Sequence, residues 1–292
     1  MSVQVNLFQL ALITFVAVSL VVFGDTAGKL LTAQGVSPGL VAWSRFALAA
    51  VLLFPFVRVR KADFMMLRDW RVLLRGGFIS GGIFSILTAL KTEPIANVYG
   101  TFFIGPIVSY GIAYLFMGEA VSRSKILLLL VGFIGVLMVV QPGFGMSSGI
   151  LFALLAGCCY GSYLVTTRLV ASAFPAPLLL ISQLMIGSFV LLPVGISEPL
   201  LSLNAESYFL ICLSAIFSAA GNYLLVLANR WAEATLIAPL VYSQLISASV
   251  AGLVVFGDWP DNIALLGLCL IIVSGCGTLI LNRRSADQAK RF

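Results

Sequence analysis

The chain has no histidine. That excludes imidazole relays and histidine metal sites, and with them the Ser–His pair of nucleophilic catalysis. Charge is scarce as well: 10% of residues are charged, against about 25% in soluble domains. With 61% of the 292 residues hydrophobic, a soluble core of this size could not hide the apolar surface. The class is an integral membrane protein. The five cysteines (Cys158, Cys159, Cys212, Cys269, Cys276) all fall inside apolar runs. Their spacing is neither a disulfide framework nor a metal cluster, and they read as small packing residues. No GxxxxGK[ST] occurs, and the longest connection, about residues 58–71, is too short for a nucleotide-binding domain. ATP-driven pumping by this chain alone is thereby excluded. The net charge of +6 would suggest nucleic acid in a soluble protein; here cationic loops that fix membrane orientation explain it. No cofactor, metal or nucleic-acid partner is expected.

Apolar runs are what the chain has in abundance. A membrane-crossing helix needs about 20 such residues, and ten runs qualify: 7–31, 38–57, 73–91, 95–116, 124–140, 147–169, 176–195, 207–229, 234–256 and 262–281. The first lacks a basic leader and is followed by many equal runs, so it reads as retained helix and not as a signal peptide. Short turns with breakers separate the runs, among them Gln34–Pro38, Gln141-Pro142-Gly143 and Asp258–Asp261. Of 17 basic residues, 14 fall on one side: Arg58, Arg60, Lys61, Arg68, Arg71 and Arg75 at the second-to-third junction, then Arg123, Lys125, Arg168, Arg230, Arg283, Arg284, Lys290 and Arg291. Lys29 and Lys91 lie on the other side, and Arg45 lies inside helix 2. Basic loops stay cytoplasmic, so both termini are expected there, in a bacterial inner (plasma) membrane.

The chain also repeats itself. An offset of 139 carries Lys91 to Arg230, Gly118-Glu119 to Gly257-Asp258, Lys29 to Arg168 and Pro38 to Pro177. Four matches at one offset, two of them in turns, indicate an internal duplication. Ten helices then divide into two repeats of five, residues 1–140 and 147–281, with a cytoplasmic tail at 282–292. Five is odd, so the second repeat crosses the membrane inverted, the architecture of secondary transporters with a midplane site. The fold class is all-α: ten transmembrane helices as two inverted five-helix repeats.

At this point the sequence resembles the drug/metabolite transporter superfamily, and within it the EamA group. The residues carrying the likeness are Ala89-Leu90, Pro94-Ile95-Ala96-Asn97, Pro106 thirteen before Glu119, Arg45, and Ala238–Gln244 with Phe256–Asp261. The helix 9 pattern is most similar to the branch of riboflavin and S-adenosylmethionine transporters. The resemblance covers nearly the whole chain. It implies a secondary transporter moving a small organic metabolite (a vitamin such as riboflavin, an amino acid or a derivative) by alternating access, and not an enzyme. Export of amino acids or drugs is the alternative direction within the family. The partners implied are the small-molecule substrate and the lipid bilayer; a homodimer is allowed.

Charges inside the membrane are costly unless paired or wet. Asp25 lies about 9 Å below the outer end of helix 1 and Arg45 about 10 Å below that of helix 2, at 1.5 Å per residue. They share a depth, and Lys29 follows Asp25 at i+4. Asp25, Lys29 and Arg45 are either a charge site or gate, or a structural pair pinning helices 1 and 2. Glu119 and Asp258 recur at one repeat position and read as turn or cap residues; Glu93 and Glu233 stand at helix starts, where the dipole favours an acid. In helix 4, Tyr99, Phe103, Pro106 and Tyr110 share a face, as do Thr235, Pro239, Tyr242 and Ser249 in helix 9. With Tyr160, Tyr163 and Thr167 of helix 6, and Asn222 beside Tyr223 in helix 8, these could surround a cavity or simply pack the bundle. The substrate-binding candidates are Tyr99, Phe103, Tyr160, Tyr163, Asn222, Tyr242 and Gln244. Gly77–Gly81 and Gly157–Gly161 are GxxxG spacings, read as helix packing.

Two other classes compete. An intramembrane enzyme would need convergent acids with a metal, or a Ser/His or Asp/Asp pair, and Asp25 is the one acid well inside a helix. A scaffold subunit would not need paired repeats with polar helix faces. The 14-to-2 split of basic residues between the two sides gives a topological prediction. In a cysteine-free background, single cysteines at Ser147 and Asn204 are expected to label from outside intact cells, and those at Ala62 and Asp287 are not. Labelling at Asp287 would overturn the helix count or its orientation.

Overall fold

A computed structural model describes residues 7–57, 61–117, 123–141, 147–197, 203–232, 237, 240–257 and 261–289. Among the described residues there is no strand. We number the membrane segments α1 (Leu7–Ala33), α2 (Pro38–Leu53), α3 (Trp70–Leu90), α4 (Ile95–Phe102 then Ile104–Met117), α5 (Arg123–Val140), α6 (Ser148–Ala171), α7 (Ala176–Val190), α8 (Ala205–Trp231), α9 (Gln244–Ala251, continued by a π-turn Gly252–Phe256) and α10 (Asn262–Ala289). Five apolar stretches are long enough to cross a membrane, in α1, α3, α4, α6 and α8, and five shorter ones supply the rest. Glu119, Glu233, Thr235, Pro239, Asp258, Arg58 and Arg60, named above, lie outside the described residues.

Polar residues in the turns set where helices begin. The side-chain oxygens of Ser37, Asp69, Ser147 and Asn204 each accept a backbone N–H of the first turn of α2, α3, α6 and α8, satisfying donors that a helix start leaves orphaned. Pro94 and Pro175 precede α4 and α7, where a missing N–H costs nothing. At the other end, Gly257 closes α9 with φ 73, a left-handed conformation that glycine adopts freely.

Prolines interrupt three of the expected runs. Helix α2 ends four residues short of the expected 57, passing into a 3-10 turn Phe54–Phe56 around Pro55. Helix α7 stops at Val190, before a short turn Leu192–Gly195 that contains Pro193. Helix α4 breaks at Phe103, because Pro106 has no N–H to return to the Phe102 carbonyl.

The helices pack in a pattern that repeats under exchange of the two halves. Helix α1 packs most extensively on α8, and α3 correspondingly on α6. Helices α5 and α10 pair with each other. There Gly135 lets α10 approach so closely that a Cβ would stand 2.6 Å from the Gly267 carbonyl oxygen, and Ser274 Oγ donates to the Leu128 carbonyl at 2.6 Å. Helices α2 and α7 meet through Gly187 against the Phe46 ring and Gly195 against Trp43, whose indole N–H donates to the Ser188 carbonyl at 3.1 Å. Two bundles result, α1–α2–α8 and α3–α6–α7. Each takes two helices from one half of the chain and one from the other.

The structure corrects two readings. Arg75 is not a cytoplasmic junction residue. Asp69 caps α3 at Trp70, so Arg75 falls five residues inside the helix and is fully buried. Glu93 stands just before Pro94 at the start of α4, as expected, and its carboxylate accepts a hydrogen bond from Ser147. Of the first GxxxG pair, Gly77 faces open space, while Gly81 does meet α6, at Cys159, as its neighbour Gly82 also does. Gly157 and Gly161 do form a close surface, against the Phe102 and Gly105 carbonyl oxygens at the α4 break.

Helix α6 can reach that break only without side chains at these two positions. Gly161→Ala is therefore expected to destabilise the protein by about 1–3 kcal/mol through overpacking. Gly77→Ala, with space to spare, should leave the melting temperature unchanged or slightly raised. Thermal unfolding of the two purified variants measures the contrast.

Candidate functional site

The site is built on the charge that the sequence places deepest. Asp25 of α1 is 1% exposed and Arg45 of α2 is 2% exposed, and they form an ion pair at 2.5 Å. Burying either alone would cost several kcal/mol, and the pair is tolerable because its remaining atoms are also bonded. The second Asp25 oxygen accepts from the Tyr99 hydroxyl at 2.5 Å. Arg45 Nη2 donates to the Gly24 carbonyl at 3.0 Å and Nε to Ser214 Oγ at 3.1 Å. Ser214 in turn donates to the Gly24 carbonyl at 2.8 Å. One network thus joins α1, α2, α4 and α8. The Gln244 side chain of α9 lies beside the Tyr99 hydroxyl.

Lys29, one turn outward, donates to the Glu93 carbonyl at 2.7 Å and lies 5.0 Å from the centre of the Phe256 ring. With Ser147 on the Glu93 carboxylate, these contacts bring α1, α6, the start of α4 and the outer end of α9 together. Farther out, Gln34 of the α1–α2 turn hydrogen-bonds Glu206 and Ser207 of α8.

The aromatic candidates form a continuous set on the inner side of that network. Tyr99, Phe102, Tyr160 and Tyr163 follow one another in ring contact, with centroid spacings of 6.0, 4.9 and 6.0 Å. Phe103 and Tyr242, which the 139 offset relates, meet ring to ring at 4.9 Å and 52°. Helix α4 breaks at Phe103, and residues 242–243 form a turn immediately before α9. The two interruptions therefore stand at equivalent positions of the two halves and touch.

Between these groups lies a cavity of about 30 Å³, lined by Asp25, Asn222, Gln244, Tyr160, Phe102 and the α3 residues Ile79, Gly82, Ile83 and Ile86. It has room for about one water. Of the ten charged and polar or aromatic candidates, Asp25, Tyr160, Asn222 and Gln244 line this cavity. Tyr99 and Arg45 stand behind Asp25, and Tyr163 stacks behind Tyr160. Phe103 and Tyr242 pack on each other, and Lys29 faces outward. The buried Tyr242 hydroxyl and Gln244 amide oxygen have no hydrogen-bond partner among the described residues.

Residues absent from the sequence-based set complete the picture. Ser214 and Gly24 hold Arg45. Arg75, Gln183 and Thr167 form a second buried cluster with Tyr163, described below. The signal for Arg75 was present: Asp69 before Trp70 is a helix-start pattern, and honouring it moves Arg75 from the loop into the helix.

Comparison with known proteins agrees with this architecture. The family model described as "EamA-like transporter family" matches twice, over residues 8–141 and 147–280. The chain belongs to that family. It is 24% identical over 237 residues to an S-adenosylmethionine uptake transporter of Rickettsia bellii, covering 80% of each chain. It is 26% identical over 237 residues to a riboflavin transporter of Rhizobium johnstonii, covering 79% of this chain and 77% of that one, and 23% identical over 239 residues to a pseudopaline exporter of Pseudomonas aeruginosa, covering 80% and 83%. A solved crystal structure at 19% identity superimposes with a TM-score of 0.75 over 95% of this chain and 98% of that chain.

The buried network gives a quantitative expectation. Asp25→Asn and Arg45→Gln each leave a partner stranded and should cost about 3–5 kcal/mol, while Tyr99→Phe should cost about 1–3 kcal/mol. The Asp25/Arg45 double variant should lose less than the sum of the two, because both remove one interaction. Strict additivity in thermal unfolding would contradict the pairing.

Proposed function

We propose that this multi-pass membrane protein moves its small organic metabolite by alternating access around the Asp25–Asn222–Gln244 cavity. The observation that carries the reading is the meeting of two interrupted helices, one from each half, at Phe103 and Tyr242. Interrupted helices crossing near the midplane supply backbone groups and a flexible point where a ligand is held. At about 30 Å³ the cavity is too small for any metabolite, so loading requires the rings of Phe103, Tyr242, Phe102 and Tyr160 to separate. The contacts of Lys29, Glu93, Ser147 and Phe256 close the outer side and act as its gate. Those of Asp25, Arg45 and Tyr99 hold the outer half together beneath it.

On opening, aromatic faces from α4, α6 and α9 flank the ligand, and the unpartnered Gln244 oxygen and Tyr242 hydroxyl give it hydrogen bonds. Such a lining suits a planar or amphipathic molecule with polar edges. Riboflavin and S-adenosylmethionine, named for two relatives, both have that character. The chain acts in the bacterial inner membrane with both termini cytoplasmic, and it catalyses no covalent change: its one deep carboxylate is held by an arginine and a tyrosine.

Flux of riboflavin and of S-adenosylmethionine into proteoliposomes containing the purified chain tests the reading. Tyr242→Ala and Phe103→Ala should each weaken apparent affinity for the transported molecule by roughly 1–3 kcal/mol, the scale of a large aromatic contact, without preventing membrane insertion. Tyr242→Phe separates packing from the hydroxyl. Unchanged affinity in both alanine variants would move the site elsewhere.

A further inference from the structure

A second charge is buried in this molecule, and the transport reading above gives it no role. Arg75 of α3 has no exposed surface. Its Nε donates to Thr167 Oγ1 at 2.9 Å, Nη1 to the Leu179 carbonyl at 2.8 Å, and Nη2 to Tyr163 Oη at 3.2 Å and Gln183 Oε1 at 2.6 Å. The guanidinium also lies 5.0 Å from the centre of the Tyr163 ring. Every one of these acceptors is neutral. Among the described residues the ion pairs are Arg45–Asp25 and Arg71–Asp69, and neither involves Arg75. A guanidinium has five N–H donors. Four are used here, and one N–H on Nη1 has no acceptor among the described residues.

Charge accounting sharpens the point. Asp25 and Arg45 cancel, while Arg75, fully buried, has no carboxylate partner among the described residues. An arginine dehydrated at such depth is costly, and an ionisable group there is by default a functional one. A junction that only fastened α3 to α6 and α7 could use neutral side chains at lower cost.

Position connects this charge to the cavity. Ile79, Gly82 and Ile86 line the cavity from α3, and Arg75 precedes them by four, seven and eleven residues, on the same helix face. It lies one turn, roughly 6 Å, to the cytoplasmic side. From α6, Tyr160 lines the cavity while Tyr163 and Thr167, three and seven residues on, hold Arg75. The Tyr160 and Tyr163 rings are stacked at 6.0 Å and 30°, so they form one wall running from the cavity to the guanidinium.

We propose that Arg75 is the specificity-determining residue for an anionic group, a carboxylate or a phosphate, on the transported molecule. The inference rests on the transport reading for the route by which the ligand arrives. When the cytoplasmic half opens, the Gln183 amide oxygen gives up its place on Nη2. An anionic oxygen takes it, and a second oxygen fills the free N–H on Nη1. A planar fork matches a two-oxygen acceptor in this way and a neutral amide does not. Ring faces of Tyr160 and Tyr163 hold the organic part.

The test uses two probe pairs that differ by one anionic group: S-adenosylmethionine with its decarboxylated form, and flavin mononucleotide with riboflavin. Binding is read as the rise in melting temperature of the detergent-purified full chain, which requires no turnover; flux in proteoliposomes is read separately. The carboxylated or the phosphorylated member should bind the wild type about tenfold or more tightly than its partner, as expected for bonds to a charged group. Which pair responds distinguishes carboxylate from phosphate. Arg75→Gln should abolish the preference and Arg75→Lys should retain part of it. Gln183→Glu supplies an internal counterion; it should preserve or raise the unliganded melting temperature and yet remove the preference, which keeps the test open if Arg75→Gln does not fold. The proposal is overturned if neither anionic probe shifts the wild type, if the neutral partner binds equally well, or if Gln183→Glu binds as before. Binding without flux would leave Arg75 assigned and count against transport instead.

Discussion

Hydrocarbon offers neither hydrogen bonds nor counterions, and most of this architecture follows from that one constraint. Buried charges in particular must be answered by other parts of the chain. The answers lie where three helices meet. Arg45 is answered at the junction of α1, α2 and α8 by Asp25, Gly24 and Ser214. Arg75 is answered where α3, α6 and α7 meet by Tyr163, Thr167, Leu179 and Gln183. The interruption of α4 frees the Phe102 carbonyl; Gly157 brings the α6 backbone against it, as Gly161 does against the Gly105 carbonyl.

The two junctions share a plan but not a chemistry. Shifting Asp25, Arg45 and Tyr99 by 139 residues gives Leu164, Leu184 and Ala238, so the outer ion pair has no counterpart in the other half. Shifting Ser214 back gives Arg75. Position 75/214 is therefore polar in both halves, as an arginine in one and as an acceptor for an arginine in the other. The two halves thus share the place where helices join but not the charge they put there.

Much of the fold was legible because it depends on run length, turn residues and an offset, all of which survive in a linear reading. Pairing of Asp25 with Arg45 followed from equal depth. The 139 offset relates Phe103 to Tyr242, but their ring contact at 4.9 Å is visible only in three dimensions. Partners of Lys29 did not follow either: Glu93 contributes a backbone carbonyl, and no side-chain pattern signals that. Arg75 was misplaced because charge was allowed to outweigh the Asp69 cap in setting a boundary. Gln183 and Ser214 were passed over because a neutral polar residue in an apolar run gains meaning only from what lies across from it. Within the first glycine pair, spacing alone could not tell that Gly77 faces open space while Gly81 meets α6.

The exchange of helices between halves also bears on how the protein is made. Arg75 lies 88 residues before Tyr163 and 108 before Gln183, while Arg45 lies 169 before Ser214. A ribosome adds about 5–20 residues per second, so Arg75 waits roughly 5–20 s after synthesis for its last acceptor. For that interval the first half of the chain holds a naked guanidinium and an open helix face in or beside the bilayer. Neither half can therefore be a self-sufficient insertion unit, and the early helices must be sheltered by the insertion machinery until the later ones arrive.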